Sequence, residues 1–357
     1  MSKPTPANGR KKITDATAAI SRATIADVAA AARVDPSTVS RVLSSDPAQR
    51  VREDTKRRIL NAAQELNYQP NVIARSLRSA KTYSLGIAVP QLDNPVFAMA
   101  IQGAERAARE RGYSLLISHI EPGAPDSAVY QRMSELNRVD GLLVATLETD
   151  RELVGALKRT GVPFVLLNRR IASVANCIVL DSRAAAHQAV DHLVSLGHRR
   201  IAHLAGHLDG FNGAERFAGY KEALTRHKIA FDPTLVVAAG YSASGGAEAM
   251  RTLLSREGPR PTAIFAATVV SAAGALSVLH AADIEVPRDV SVIALHDSII
   301  AEMLFPPLTT VRLPVEEMGY RGAIGLIDLL EGRREDVGCT LPPERLIVRA
   351  STAKPRI

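Results

Sequence analysis

The stretch that decides the reading is Asp35-Pro36-Ser37-Thr38-Val39-Ser40-Arg41-Val42-Leu43. Asp35 suits a helix N-cap and Pro36 the first helical position, where its missing N–H costs nothing and its fixed φ fits the turn. Val39, Val42 and Leu43 recur at helical spacing and mark an inward face. Pro36, Ser37, Thr38, Ser40 and Arg41 are left outward: hydroxyls that reach a phosphate or a base edge, and a guanidinium able to grip guanine O6 and N7 with two hydrogen bonds. On either side the helical period continues. Ile25, Val28, Ala29 and Ala32 follow Thr24, which with Asp27 forms a Thr-x-x-acid start, and Arg33-Val34 makes the turn. Farther on, Ile59, Ala62, Ala63 and Leu66 repeat the inward spacing behind Glu53 and Asp54, carboxylates that suit the dipole of a first turn. A short helix, a tight turn and an outward polar second helix predict a three-helix helix-turn-helix module whose second helix does the reading.

Charge points the same way. The chain has 357 residues and a formal charge of +7. Residues 1–80 carry 14 Lys and Arg against 7 Asp and Glu, while residues 81–357 carry 30 of each. The excess therefore lies wholly in the first quarter, as expected of a basic module for a polyanion joined to a neutral body. Residues 1–22 are polar, include Gly9-Arg10-Lys11-Lys12 and lack apolar periodicity, so a disordered basic arm is expected. The helix-turn-helix domain then spans 23–69. Residues 70–82, opened by Pro70, are expected to form a hinge helix and linker, too short to be stable alone.

From Tyr83 the rhythm changes. Apolar runs at Ser84–Val89, Ser114–Ser118, Gly141–Ala145, Pro163–Leu167, Arg200–Ala205, Leu235–Ala239, Ala263–Ala267 and Val290–Leu295 alternate with helix-length amphipathic segments. Such strands imply an α/β body of βαβ units with parallel sheets buried on both faces. They are too many for one comfortable sheet. Two lobes are expected within 83–357, about 83–180 plus 313–340 and 181–312 plus 341–350, with the break near Cys177–Asp181 and a ligand between them at the carboxyl ends of the strands.

Other classes fall away. Two cysteines, Cys177 and Cys339, are too far apart for a CxxC motif, and the first residues lack the apolar core of a secretory signal, so a cytoplasmic chain is expected. Thr262–Ala282 holds no Lys, Arg, Asp or Glu and is long enough to raise the question of a membrane span. Its low Leu, Ile and Phe content favours a strand, a loop and a buried helix. His187, His192, His198, His203 and His207 are too irregularly spaced for a metal site. Gly240-Tyr241-Ser242-Ala243-Ser244-Gly245 is out of step with a G-x-S-x-G elbow, and no G-x-G-x-x-G or P-loop sequence occurs. Neither an enzyme nor a metal or cofactor is expected.

Several motifs together resemble one family. Thr24-Ile25-Ala26-Asp27-Val28-Ala29, Pro36 to Leu43, Leu66-Asn67-Tyr68-Gln69-Pro70-Asn71 and Ala74-Arg75-Ser76-Leu77 are similar to the head of the lactose/galactose repressor (LacI/GalR) family. The resemblance runs on through Asp93-Asn94-Pro95, Val139-Asp140-Gly141, Leu196-Gly197-His198, Arg216-Phe217-Ala218-Gly219-Tyr220, Arg260-Pro261-Thr262 and Val286-Pro287-Arg288. It implies a homodimeric repressor that reads a pseudo-palindromic double-stranded DNA operator. It also implies a periplasmic-binding-protein-like body sensing a small molecule. Pro36, Ser37 and Arg41 would read bases, with Thr24, Arg33, Thr38 and Ser40 also in the DNA-contact set. Asn71, Ala74 and Leu77 would belong to a hinge helix in the minor groove, Leu77 as an apolar wedge between base steps. Arg33 stands where the family often has Gly, and Arg52 where an N-cap Ser is usual, each costing about 1 kcal/mol or less.

For the effector, the resemblance implies Phe97 and Tyr241 as walls and Asn212 as a polar contact, together with Asn168, Arg169, Arg216, His296 and Asp297. Asn168, Thr268-Val269 and His296 stand where the family commonly has carboxylates, while Arg169 and Arg216 remain. An anionic or aromatic-acidic effector is then expected, the alternative being an ordinary sugar if Asp297 takes over. No leucine heptad follows Val348, so a dimer is expected rather than a tetramer.

Overall fold

The computed structural model describes residues 23–43, 51–68, 81–92, 94–120, 126–135, 138–145 and 150–356. The chain divides into two units, Met1–Ala80 and Lys81–Ile357. The arm at 1–22 and the hinge residues Asn71, Ala74 and Leu77 lie outside the described residues.

In the first unit, helices α1 (Ile25–Ala32), α2 (Pro36–Leu43) and α3 (Glu53–Glu65) close on Val28, Ala29, Ala32, Val39, Ile59 and Ala62. Leu66, expected to face inward, is instead exposed. Helix α3 has already ended there, and the chain turns through Asn67 at φ 46°, so that Tyr68 packs against the core in its stead.

The second unit begins with β1 (Ser84–Val89), α4 (Pro95–Glu110), β2 (Ser114–His119), α5 (Asp126–Ser134), β3 (Gly141–Val144), α6 (Asp150–Thr160), β4 (Phe164–Leu167) and β5 (Cys177–Leu180). A second series follows: α7 (Ser182–Ser195), β6 (Ile201–Ala205), α8 (Phe211–Arg226), β7 (Val236–Ala238), α9 (Ala243–Leu254), β8 (Ala263–Ala266), α10 (Val269–Ala281), β9 (Ser291–Leu295), α11 (Ile299–Met303) and β10 (Thr309–Arg312). The chain then goes back to the first series with α12 (Val315–Leu330) and β11 (Cys339–Leu341), and again to the second with β12 (Arg345–Ile347).

Two six-stranded sheets result, in the orders β11-β5-β4-β3-β1-β2 and β12-β10-β9-β8-β6-β7. All pairings are parallel except that of β12 with β10. Parallel strands need crossover helices, which cover the faces. Glycine permits the closest of these contacts: a Cβ on Gly103 of α4 would lie 1.9 Å from the Glu316 carbonyl oxygen at α12, and one on Gly274 of α10 would lie 1.8 Å from that of Ala243 at α9.

The body also departs from expectation. Strand β2 was expected to be buried on both faces, yet Leu116 and Ile117 are exposed, because β2 ends its sheet and leaves one edge unpaired. Strands β5, β10, β11 and β12 escaped the sequence reading: β5 is a four-residue run where only the break between the lobes was expected, and Thr-Thr-Val-Arg, Cys-Thr-Leu and Arg-Leu-Ile are too short and polar to stand out. Thr262–Ala282 resolves into β8 and the largely buried α10, whose N-cap Thr268 shares a capping box with Ser271. Among the described residues no helix is long and apolar enough to cross a membrane.

Candidate functional site

In the head, Thr24 and Asp27 cap α1 reciprocally: the Asp27 carboxylate accepts from Thr24 N–H at 2.7 Å, and Thr24 Oγ1 accepts from Asp27 N–H at 3.3 Å. Arg33 ends α1 in the left-handed region, at φ 52°, which is why glycine suits that position. Arg52 caps α3 with no side-chain hydrogen bond. Asp35 Oδ1 accepts from Ser37 N–H at 2.8 Å, and the Ser37 hydroxyl and N–H together hold the Asp35 carboxyl below its ordinary pKa. Pro36, Ser37 and Arg41 are exposed and Thr38 and Ser40 half-buried. Arg41 lies along the helix, Nη2 donating to Ser37 Oγ at 2.8 Å and Nε to the Ser37 carbonyl at 3.1 Å. Ser37 and Arg41, one turn apart, thus form one polar surface on α2.

In the body, polar side chains gather over the carboxyl ends of the strands. Asn168, just past β4, and His296, just past β9, both adopt left-handed backbone, at φ 54° and 67°. Helix α8 reaches to each. Asn212 Nδ2 donates to the Asn168 carbonyl at 2.7 Å, joining the two lobes. One turn on, Arg216 Nη1 donates to the Ala267 carbonyl at 3.0 Å and Nη2 to His296 Nε2 at 2.8 Å. An arginine only donates, so His296 Nε2 accepts and its proton sits on Nδ1. The Arg216 guanidinium carbon stands 5.7 Å from the Tyr241 ring centre. Arg216 and His296 are each 2 % exposed. Burial lowers the pKa of both, and for His296 the charge of Arg216 adds to the effect.

The structure therefore brings Asn168, Asn212, Arg216, Tyr241 and His296 together. Phe97, in the first turn of α4, packs at the edge of the hydrophobic core, and Arg169 is buried beside Asn168. Asp297 is a correction. Its carboxylate accepts from Thr310 Oγ1 at 2.7 Å, Arg349 Nη1 at 2.7 Å and Arg312 Nη2 at 2.6 Å. Although burial pushes the Asp297 carboxyl up, hydrogen bonds from Arg349, Arg312 and Thr310 hold it below its ordinary pKa. That carboxylate is committed to β10 and the segment after β12 rather than to Arg216 or Asn212.

Sequence reasoning missed Asp140. Its carboxylate takes Thr82 N–H at 2.7 Å, Thr82 Oγ1 at 2.9 Å and Tyr83 N–H at 2.8 Å, and so anchors the chain where it enters the first lobe. The available signal was an acid directly before Gly141 at a strand start. The histidines serve separate places: His203 stacks on Phe265 with ring centres 4.6 Å apart, His198 bonds Thr262, Ser291 and the Ala353 carbonyl, and His187 meets Glu222. A surface hollow of about 590 Å³ near Arg200, Pro233 and Arg260 lies at the amino ends of the second lobe's strands, opposite the site.

A helix-turn-helix head with an exposed Ser37–Arg41 surface, carried on a two-lobed α/β body with a buried polar site at its strand ends, defines a DNA-binding transcriptional regulator with a periplasmic-binding-protein-like sensor. Residues 24–71 match the bacterial regulatory proteins, lacI family, and residues 190–352 a periplasmic binding protein-like domain. The HTH-type transcriptional regulator DegA of Bacillus subtilis is 31 % identical over 338 residues, which cover 93 % of this chain and 98 % of DegA. Among solved structures, the complex of the transcriptional regulator CelR with cellobiose is 33 % identical, with a TM-score of 0.70 over 92 % of this chain and all of that one. The Lac repressor dimer bound to operator and the anti-inducer ONPF is 28 % identical, with a TM-score of 0.80 over 93 % of this chain and 99 % of that one. The chain belongs to the lacI family of bacterial regulatory proteins.

Proposed function

We propose that this regulator acts in the cytoplasm as a homodimeric repressor that pairs two heads on a pseudo-palindromic operator, with affinity set by a small molecule bound between the lobes, and that it carries out no catalysis. The observation that supports this reading most is the exposed Ser37–Arg41 pair on the second helix of the head, in a chain whose excess positive charge is confined to residues 1–80. Arg41 and Ser37 read base edges, while Thr24, Arg33, Thr38 and Ser40 position the head on phosphates. Asn71, Ala74 and Leu77 enter the minor groove at the operator centre. A second copy of the chain covers the exposed apolar side chains Leu116 and Ile117 on β2 and Ile299, Met303 and Phe305 around α11. The Asn212–Asn168 bond across the lobes supplies the contact that ligand binding makes or breaks, and DNA affinity follows lobe closure.

A gel shift on operator DNA selected from a random pool tests the reading. The full chain is expected to shift the selected DNA and residues 81–357 alone are not. Specific binding by the truncated body would overturn the assignment. Arg41→Ala is expected to cost about 1–3 kcal/mol and to relax one base position. An equal loss on every sequence would make Arg41 a phosphate contact only.

A further inference from the structure

We infer that the ligand of the interlobe site is a small hydroxylated organic monoanion whose carboxylate pairs with Arg216. This rests on the regulator reading above and adds the chemical class of its effector. The Arg216 guanidinium is almost wholly buried, and its partners, the Ala267 carbonyl and His296 Nε2, are both neutral. No carboxylate among the described residues forms an ion pair with it. A buried cation with no countercharge is costly, and proteins supply one from a side chain or from a ligand.

The unpaired hydrogen-bonding atoms say what is wanted. Arg216 Nε–H and His296 Nδ1–H are buried donors with no acceptor among the described residues. The Arg216 charge with its waiting Nε–H fits an acceptor group that carries a single negative charge, which is a carboxylate rather than a phosphate dianion, and His296 Nδ1–H, on the far side of the ring from Arg216, matches a further ligand oxygen. Among the described residues, Asn212 Oδ1 is a buried acceptor with no donor and Ser298 Oγ a buried hydroxyl with no partner. These match hydroxyls on the rest of the ligand, and the Tyr241 ring beside Arg216 closes one side. Asp297, next to His296 in the chain, cannot turn to Arg216 without abandoning Arg312 and Arg349. Polyhydroxy acids such as aldonates and uronates have the required groups.

The test is calorimetry and thermal unfolding of the full chain with a panel of hydroxy acids, including gluconate and galacturonate. Their neutral counterparts sorbitol and galactose, with glucose 6-phosphate and inorganic phosphate, form the control arms. At least one acid is expected to bind about 100-fold more tightly than its neutral counterpart, because a polar site built for an acceptor rejects an analogue that lacks it. Arg216→Gln is expected to remove that preference. His296→Asp sets a carboxylate beside Arg216 and is expected to raise the melting temperature of the unliganded chain while abolishing acid binding. A panel in which no acid exceeds its neutral counterpart, tighter binding of the phosphates than of any carboxylate, or a His296→Asp melting temperature at or below that of the wild type would each overturn the inference. An operator gel shift on the same wild-type preparation tests the regulator reading separately. A chain that shifts its operator and responds only to a neutral polyol loses the anion and keeps the regulator.

Discussion

In the first lobe Asn168 follows β4 at φ 54°, its N–H bonded to the Ile178 carbonyl of β5. In the second, His296 follows β9 at φ 67°, its N–H bonded to the Val311 carbonyl of β10. The two sheets have the same strand order, so these are equivalent positions in two copies of one topology. What each offers differs. Asn168 presents its carbonyl to Asn212, whereas His296 presents a ring nitrogen to Arg216. At the next position Arg169 is buried in the first lobe, and Asp297 in the second is locked to Arg312 and Arg349. The shared topology sets where a site can form, and the side chains set what it holds. At these two positions the first lobe supplies backbone and the second a ring nitrogen, while buried ionic groups occur in both, Asp328 with Arg333 in the first and Asp297 with Arg312 and Arg349 in the second.

Three substitutions would break or sharpen that contrast. The largest effect is expected from Asp297→Asn, which removes the carboxylate shared by Arg312 and Arg349, leaving Arg349 only Glu302 for an ion pair among the described residues, and should cost about 3–5 kcal/mol in urea unfolding. Wild-type stability with altered ligand binding would return Asp297 to the cleft. His203 comes next. It pairs with Phe265 in the second lobe where Ile87 pairs with Leu143 in the first, and burial lowers its pKa to about 4. The unfolded chain therefore binds a proton that the folded one refuses. Stability should be full above about pH 6.5 and fall by about 3 kcal/mol as the pH drops toward 4. Melting temperatures across that window would show it, and His203→Phe should flatten the slope. The smallest effect is expected for Asn212→Ala, which removes one hydrogen bond between the lobes, worth about 1 kcal/mol. Small-angle scattering should then report a more open body with the unfolding free energy changed little.

How far the sequence could be read depended on the kind of signal. Helical spacing showed the head because Val28, Ala29, Val39 and Ile59 each repeat a local period. The long apolar strands were equally plain, while β10 to β12 were not, since three or four residues carry too little periodicity. For the site, the family resemblance singled out Arg216 and His296 but not their contact, which joins residues 80 positions apart. Asp297 shows the limit most clearly. Its neighbour and its charge made it a pocket residue on paper, and only its partners, 13 to 52 positions away, show where its carboxylate is spent.

The sequence by itself determined the division into a basic head and a neutral two-lobed body, because charge placement and hydrophobic period are local properties of the chain. Tertiary structure alone decided which charges cancel. Whether a buried arginine finds a carboxylate depends on which strand ends the fold sets side by side, and here, among the described residues, it gave two arginines to Asp297 and no acid to Arg216. That uneven distribution leaves the positive charge to which a ligand must answer.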